Sequence, residues 1–211
     1  MGSFAYNRLC GFLSIGTLTG LVLTLLASGP AAAPQISAEN LSGKLLVATP
    51  HMSDPRFARS VVFILRHDIE GAMGLIINRQ IGSGPLLKFL KGLGVEDTQA
   101  QGDITLYYGG PMEPYLTLML HSSDYAIAET LTIDGIAAMS GGLEVLKAVS
   151  EGKGPNKYIF TLGYAGWGSG QLEHELQGNS WVVVPADEEI LFDGDVEEKW
   201  ERAYSRRKID L

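Results

Sequence analysis

Short hydrophobic runs recur along the chain, and each is bounded by glycine, proline or a cluster of polar residues. Runs of about four to eight apolar or β-branched residues between such breaks are typical of strands. The runs that predict strands span residues 41–47, 60–65, 73–78, 104–108, 116–121, 126–133, 158–162 and 181–184. Because only a short loop separates the second run from the third, these two predict an antiparallel hairpin.

Apolar residues at helical spacing predict short helices between the strands. These helices are expected at residues 85–93, 143–149, 171–177, 188–192 and 196–206. In the last of them, Trp200 and Tyr204 are four residues apart and would both face the body of the protein. Strands joined by hairpins and interrupted by short helices predict an α+β fold, here as a single domain over residues 41–211.

The stretch 158–185 is predicted to form a strand, a glycine-rich turn, a short helix and a second strand. Tyr164 and Trp167 lie among its glycines, which stand at positions 163, 166, 168 and 170. Glycine lets the backbone adopt positive φ and approach another group closely. Trp167 would then either pack beneath the turn or contact a partner. On the helix, Gln171 and Glu175 lie one turn apart beside the turn.

Composition and charge describe an ordinary globular protein that is acidic. The chain has 211 residues, 45% hydrophobic and 19% charged, with a net charge of -8. That charge disfavours nucleic acid as a partner, because attraction to phosphate dominates nucleic-acid affinity. Cys10 is the only cysteine, so the sequence predicts no disulfide and no cysteine-based metal site.

The amino-terminal residues have the layout of a secretory signal peptide. Arg8 precedes an uncharged apolar run, and small residues suited to a leader peptidase follow it. We expect a signal peptide over residues 1–31, a polar lead-in over 32–40, and a periplasmic or exported protein. The alternatives are an uncleaved inner-membrane anchor over 9–29, which is long enough to cross a bilayer, or a cytoplasmic protein with a mis-assigned start.

The sequence near Ser169 partly resembles two enzyme motifs but matches neither. A nucleophile elbow, G-x-S-x-G, would need glycine where Trp167 stands. A dinucleotide fingerprint, G-x-G-x-x-G, would need a third glycine after Gly168 and Gly170, and Glu173 occupies that position. The sequence therefore predicts no cofactor.

Two groups of residues would suit a hydrolase or transferase in which a histidine acts as general base beside a carboxylate. They are His67 with Asp68 and Glu70, and His121 with Ser122 and Asp124. Histidines beside acidic residues in loops are also typical of solvated turns. No H-x-H or H-E-x-x-H spacing occurs, so no metal site is predicted.

Several motifs, in one order, resemble those of the YqgE/AlgH family of bacterial proteins. They are LSGKLLVATP at 41–50, DPRF at 54–57, GAMGLIINR at 71–79, GGP at 109–111, GYAGW at 163–167 and GQLE at 170–173. The resemblance extends over residues 41–211. It implies a mixed sheet, partly rolled into a barrel and flanked by short helices. It implies no established enzymatic activity, and one branch of the family is linked to the regulation of exopolysaccharide production.

The chain departs from the family pattern in two ways. Many members carry Arg-Gly after the GGP motif, whereas residues 112–117 here read MEPYLT. This puts in doubt any role of that loop that depends on arginine. Members are also usually treated as cytosolic, whereas residues 1–31 resemble a leader. A periplasmic protein cannot regulate transcription by touching DNA.

The sequence and the resemblance together predict a non-enzymatic binding or regulatory protein tied to envelope or exopolysaccharide functions. Its partner would be a protein or a small molecule. The predicted contact surface consists of Gly109, Gly110, Pro111, Tyr164, Trp167, Gln171 and Glu175. The alternatives are the hydrolase or transferase described above and a DNA-binding transcriptional regulator, which the acidic charge and the leader disfavour.

Overall fold

Ten strands and five short helices make up the part of the chain that the computed structural model describes, residues 40–95 and 100–207. In chain order they are β1 (Lys44–Ala48), β2 (Val61–Asp68), β3 (Gly71–Ile76), β4 (Gln80–Pro85), α1 (Leu86–Gly92), β5 (Asp103–Tyr108), β6 (Met112–His121), β7 (Leu131–Ile133), β8 (Ala137–Gly141), α2 (Gly142–Ser150), β9 (Tyr158–Gly168), α3 (Gln171–Gln177), β10 (Trp181–Pro185), α4 (Glu188–Phe192) and α5 (Val196–Ser205).

The strands form one mixed, curled sheet. Its main order is β10-β1-β2-β3-β9-β6-β8-β7, with β4 and β5 attached beside β9. All pairs are antiparallel except β5 with β9. The sheet curls into a half-barrel with the short helices around it, which confirms the predicted α+β class and the partly barrel-like sheet.

Strand β2 has both faces buried, which places a core on each side of the sheet. Its residues alternate between two apolar clusters: Val61, Phe63 and Leu65 pack on one side, and Val62 and Ile64 on the other. The first cluster is closed by α4 and α5, and the second by α3. A third cluster lies under α1 and α2. Each fully buried side chain of this size contributes roughly 1.5–3 kcal/mol.

Most predicted elements are confirmed. Strands β2 and β3 form the predicted hairpin, and all five helices lie where the apolar spacing predicts them. The rings of Trp200 and Tyr204 stack with centroids 5.0 Å apart. The indole of Trp200 donates to the carbonyl of Ala48 at 2.8 Å, which ties α5 to the sheet.

The predicted glycine-rich turn after residue 162 is wrong in extent. Strand β9 continues to Gly168, and the chain turns only at residues 169–170. From Ala165 to Gly168 this strand pairs with β3. Because glycine has no side chain, these residues let the strand pass close to other backbone segments.

Three strands differ from the sequence prediction for local reasons. The predicted strand 126–133 is reduced to β7, because Ile127 and Thr130 form a turn in which each backbone N–H is bonded to the other residue. Strand β4 was missed because its sequence, QIGSGP, lacks an apolar pattern, and pairing with β5 supplies its hydrogen bonds. Strand β8, AAMSG, was missed because its small residues resemble a loop.

The predictions for the amino terminus fall outside the described residues. Residues 1–39 contain the signal peptide (1–31), the alternative anchor (9–29) and all but the last residue of the lead-in (32–40), so these stay predictions. Within residues 40–95 and 100–207, no helix combines the length and the apolar character that a membrane span requires.

Candidate functional site

A cavity of about 240 Å³ lies where the loop after β1, the start of β6 and the junction of β9 with α3 come together. We call it the aromatic cavity. Its walls include Arg56, Phe57, Met112, Trp167, Gln171 and Glu175. It therefore unites predicted contact residues from the 158–185 stretch with the loop that carries the DPRF motif.

Helix α3 orients the two polar side chains of this cavity. Gly170, in the left-handed conformation with φ of 72°, precedes the helix. The Oε1 atom of Gln171 accepts a hydrogen bond from the backbone N–H of Gly168 at 3.1 Å. Its Nε2 atom donates to Oε1 of Glu175 at 2.9 Å. This pair at i and i+4 presents one continuous polar edge.

The carboxylate of Glu175 is the centre of a closed hydrogen-bond network. Its Oε2 atom accepts from the indole N–H groups of Trp167 at 3.0 Å and Trp181 at 2.7 Å. With Gln171 on Oε1, three donors converge on one carboxylate. Hydrogen bonds to an ionised acceptor are roughly twice as strong as neutral ones. Glu175 therefore fixes both indoles, and Trp167 is buried rather than projecting as a loop contact.

Phe57 and Trp167 form the aromatic wall, and Trp181 packs against both rings. Phe57 stacks on Trp167 at 6.3 Å between centroids and meets Trp181 edge-on at 5.6 Å. The two indoles also meet edge-on, at 6.0 Å. Offset-stacked and edge-to-face arrangements are the favoured geometries for such pairs. The wall is therefore rigid and shaped in advance of any ligand.

The rim of the aromatic cavity carries a balanced ion pair. Arg56 binds Asp54 with an Nη2–Oδ2 distance of 2.7 Å, and its guanidinium lies 5.9 Å from the centroid of Phe57. The hydrogen bond from Arg56 lowers the pKa of Asp54, and the same bond raises the pKa of Arg56. Both groups are therefore charged at neutral pH and leave little net charge at the rim.

The seven predicted contact residues do not all reach this cavity. Pro111, Trp167, Gln171 and Glu175 line it, whereas Gly109 and Gly110 are buried and Tyr164 is half-buried outside it.

The two glycines have a packing role at the place where β6 begins. A Cβ atom added to Gly110, whose φ is 151°, would lie 2.2 Å from the carbonyl carbon of Tyr164. One added to Gly109 would lie 2.2 Å from the carbonyl oxygen of Gly163. Only glycine permits this approach of two backbone segments.

Sequence reasoning missed Arg56, Phe57 and Met112 as cavity residues. The DPRF motif at 54–57 was a usable signal for the first two, because a motif in a loop indicates more than packing. Met112 is 46% exposed, and Tyr115 in the same segment is 94% exposed. The MEPYLT segment, which departs from the family pattern, therefore places the exposed apolar side chain of Met112 at the cavity wall.

The predicted arrangement of His67 with Asp68 and Glu70 is wrong. His67 is buried, and its Nε2 atom bonds to Oε1 of Glu173 at 2.8 Å. Its Nδ1 atom accepts the backbone N–H of Leu41 at 3.1 Å, which makes Nε2 the protonated nitrogen. This histidine ties the start of β1 to α3.

The predicted arrangement of His121 with Ser122 and Asp124 is wrong as well. Nδ1 of the buried His121 donates to the carbonyl of Ser122 at 2.9 Å, and Nε2 bonds to Oγ of Ser140 at 3.0 Å. The Ser122 hydroxyl donates to Asp124 instead. Burial lowers the pKa of His121. Neither this histidine nor His67 lines the aromatic cavity, so neither has access to a ligand there.

Metal ligands are not clustered in the described ranges, residues 40–95 and 100–207. No three histidine, cysteine, aspartate or glutamate side chains there are placed to share an ion.

The curled mixed sheet, its flanking helices and the cavity beside the 163–173 motifs define a class of α+β proteins. A family model described as AlgH-like matches residues 45–211. The chain belongs to the AlgH-like family, which confirms the resemblance drawn from the motifs.

Relatives and solved structures agree with this assignment. A UPF0301 protein of Rhodospirillum rubrum is 42% identical over 170 residues, covering 81% of this chain and 88% of that protein. The solution structure of the AlgH protein from Pseudomonas aeruginosa is 40% identical with a TM-score of 0.69, covering 85% of this chain and 95% of the other. A crystal structure from Corynebacterium diphtheriae, DIP2367, shares the fold at 22% identity with a TM-score of 0.62, covering 82% and 90%.

Proposed function

We propose that this protein is a non-enzymatic binding protein that engages a protein partner at the aromatic cavity. The observation that carries the proposal is the contrast between the interior and the lip of that cavity. Inside, the polar atoms of Glu175 and Gln171 are bonded to neighbouring protein groups. At the lip, Met112 is an exposed apolar side chain, and the exposed Tyr115 follows three residues later in the same segment. Exposed aromatic and methionine side chains around a preformed recess are typical of protein contacts.

The size of the cavity favours a protein side chain over a whole small molecule. Its volume is about 240 Å³. Pockets for small molecules and cofactors usually have volumes of roughly 300–1,000 Å³. One apolar side chain of a partner would fill the recess that Phe57 and Trp167 line, while the surrounding surface of the partner would cover Met112 and Tyr115.

Photo-crosslinking in cells tests this proposal. A photoreactive phenylalanine analogue at Tyr115 is expected to give one adduct of defined mass. The control position is Leu131, which is 41% exposed on the edge strand β7. Met112→Asp, introduced with the probe at Tyr115, is expected to remove the adduct, because it puts a charge on the apolar lip.

Two results would contradict the proposal. One is identical adducts from Tyr115 and Leu131, and the other is an adduct from Tyr115 that survives Met112→Asp. If a small molecule occupies the cavity instead, native mass spectrometry of the protein purified from its host will show one added mass that is too small to be a protein.

The proposed setting is the regulation of envelope or exopolysaccharide functions from the periplasm. It is supported by the leader-like residues 1–31 and by the family resemblance. Sequencing the mature amino terminus from fractionated cells is the test. A periplasmic protein that begins at Ala32 agrees with export. An intact Met1 in the membrane fraction supports the anchor, and a protein confined to the cytosol contradicts export.

A further inference from the structure

A second and larger cavity, of about 910 Å³, lies between the β3–β4 connection and the first turns of α5. We call it the arginine cavity. Its walls include Arg59, Asn78, Arg79, Tyr108, Glu197 and Trp200. Two guanidinium groups and one carboxylate thus line it, although the chain as a whole carries a net charge of -8. The wall of this cavity therefore brings two arginine side chains together in an acidic protein.

Arg79 is held in place by carbonyl groups rather than by an acidic side chain. Its two terminal nitrogens donate to the carbonyl oxygens of Arg56 at 2.5 Å and Ala58 at 2.9 Å. No carboxylate within the described ranges lies within ion-pair distance of it. The two bonds use two of the five N–H groups of a guanidinium. The side chain is therefore oriented, and its guanidinium forms no salt bridge with the described residues.

Arg59 lies beside it in a strained conformation. Its φ of 55° is in the left-handed region that residues with a side chain rarely adopt. The amide of Asn78 holds this backbone by donating to the Arg59 carbonyl at 2.9 Å. The guanidinium lies 4.3 Å from the centroid of a Trp200 ring and pairs with Glu201 at 2.9 Å. Since that pair is exposed, it contributes little and can be exchanged for another anion. Strained residues of this kind often clamp ligands.

We propose that the arginine cavity binds an anionic small molecule through oxyanion groups held between Arg59 and Arg79. Guanidinium groups bind phosphate and carboxylate through paired N–H donors. The rest of the ligand would lie against the exposed Ile81 and the ring of Tyr108. The volume is within the range of sites that enclose a whole small ligand. This site lies outside the aromatic cavity and does not depend on the partner proposed for it.

Titration of the full chain with inorganic pyrophosphate, followed by NMR at constant ionic strength, tests the proposal. The indole N–H of Trp200 is expected to shift in a saturable way, while that of Trp181, which is bonded to Glu175, serves as the internal reference. A parallel titration with citrate distinguishes phosphate from carboxylate as the preferred group. Chloride at the same ionic strength is the baseline.

Variants that remove a positive or a negative charge from the cavity should change its affinity in opposite directions, which makes the test specific. Arg59→Gln is expected to weaken binding about tenfold, the effect of losing one charge-assisted hydrogen bond. Arg66→Gln removes the same charge from a similarly exposed side chain, 62% against 59%, and should change affinity by less than about twofold. Glu197→Gln removes the one carboxylate of the cavity wall and should strengthen binding. Arg79 is left intact because it also supports the loop at Arg56.

The proposal is overturned if neither probe gives a saturable shift at Trp200. It is also overturned if Arg59→Gln and Arg66→Gln weaken binding equally, because the attraction is then only that of net charge. The increase expected with Glu197→Gln keeps the test decisive should Arg59→Gln impair folding. A loss of affinity in that variant also contradicts the proposal.

Discussion

The aromatic cavity and the arginine cavity share one loop, residues 54–59, but their chemistry differs. Phe57 faces the aromatic cavity, and Arg59 faces the arginine cavity. In the first, the half-buried carboxylate of Glu175 is bonded to three donors from the protein itself. In the second, carbonyl groups orient Arg79, and no carboxylate of the described residues lies within ion-pair distance of its guanidinium.

The two cavities thus differ in what they can recognise, because one is defined by its shape and the other by its charge. A network that satisfies its own polar atoms needs no ligand and offers recognition by shape and apolar contact. A fixed cation that lacks a counter-charge gains most when an anion binds. The first arrangement therefore suits a protein partner, and the second suits a small anion.

The largest effect on the free energy of unfolding is expected at Gly110, beside the aromatic cavity. The added methyl group of Gly110→Ala would lie 2.2 Å from the backbone of Tyr164, at a φ of 151°. We expect a loss of about 4 kcal/mol or more in the free energy of unfolding, or no folded protein. Urea denaturation measures it. Gly84→Ala, where no atom lies within 4 Å of the added carbon, is the control. Equal stability of the two variants would refute the close packing.

The next largest effect is expected from Glu175→Ala, because it removes the acceptor on which the aromatic cavity depends. It leaves the indole N–H groups of Trp167 and Trp181 without their partner. We expect the free energy of unfolding to fall by about 3 kcal/mol. Glu175→Gln keeps one oxygen for the two indoles and should lose less than half as much. If both variants prove equally stable, the network does not hold the wall together.

A smaller effect on the free energy of unfolding, one that depends on pH, is expected from Lys199. This residue lies on α5, the helix that borders the arginine cavity. Its Nζ atom is buried and donates to the carbonyl of Leu191 at 3.1 Å. Burial lowers the pKa of Lys199 to about 8, from 10.5. Between these values the unfolded chain binds more protons than the folded one, so stability rises with pH. From pH 7 to 9 the contribution of this group should increase by about 1 kcal/mol.

Urea denaturation at the two pH values measures that change. Lys199→Met should remove the increase and stabilise the protein at pH 7, because no buried charge then needs to be accommodated. Lys147→Met, which replaces an exposed lysine on α2, is the control. An increase of the same size in Lys199→Met would assign the pH dependence to other groups.

The elements that the sequence predicted well carry their signals locally. Helices α4 and α5 begin at Asp187 and Asp195, whose side chains accept the backbone N–H groups of Ile190 and Glu198. The apolar run of β2 is clear because both of its faces are buried. In contrast, β4 forms only because β5 pairs with it, and nothing in its own residues favours a strand.

The candidate site was predicted only where its residues follow a local pattern. Gln171 and Glu175 follow from helical spacing, and both line the aromatic cavity. The role of Gly109 and Gly110 could not be predicted, because it arises from contact with a distant strand. The two histidines suggested catalysis only while their hydrogen-bond partners in the fold were unknown.

The sequence by itself determined the α+β class, the helices, the β2–β3 hairpin and the family, because these depend on periodicity, capping residues and ordered motifs. Tertiary structure alone decided that β9 continues through its glycines to Gly168. It also decided that Trp167 is bound to Glu175 and that Arg59 and Arg79 line one cavity. These features join segments that are far apart in the chain, and no local pattern encodes which segments will meet.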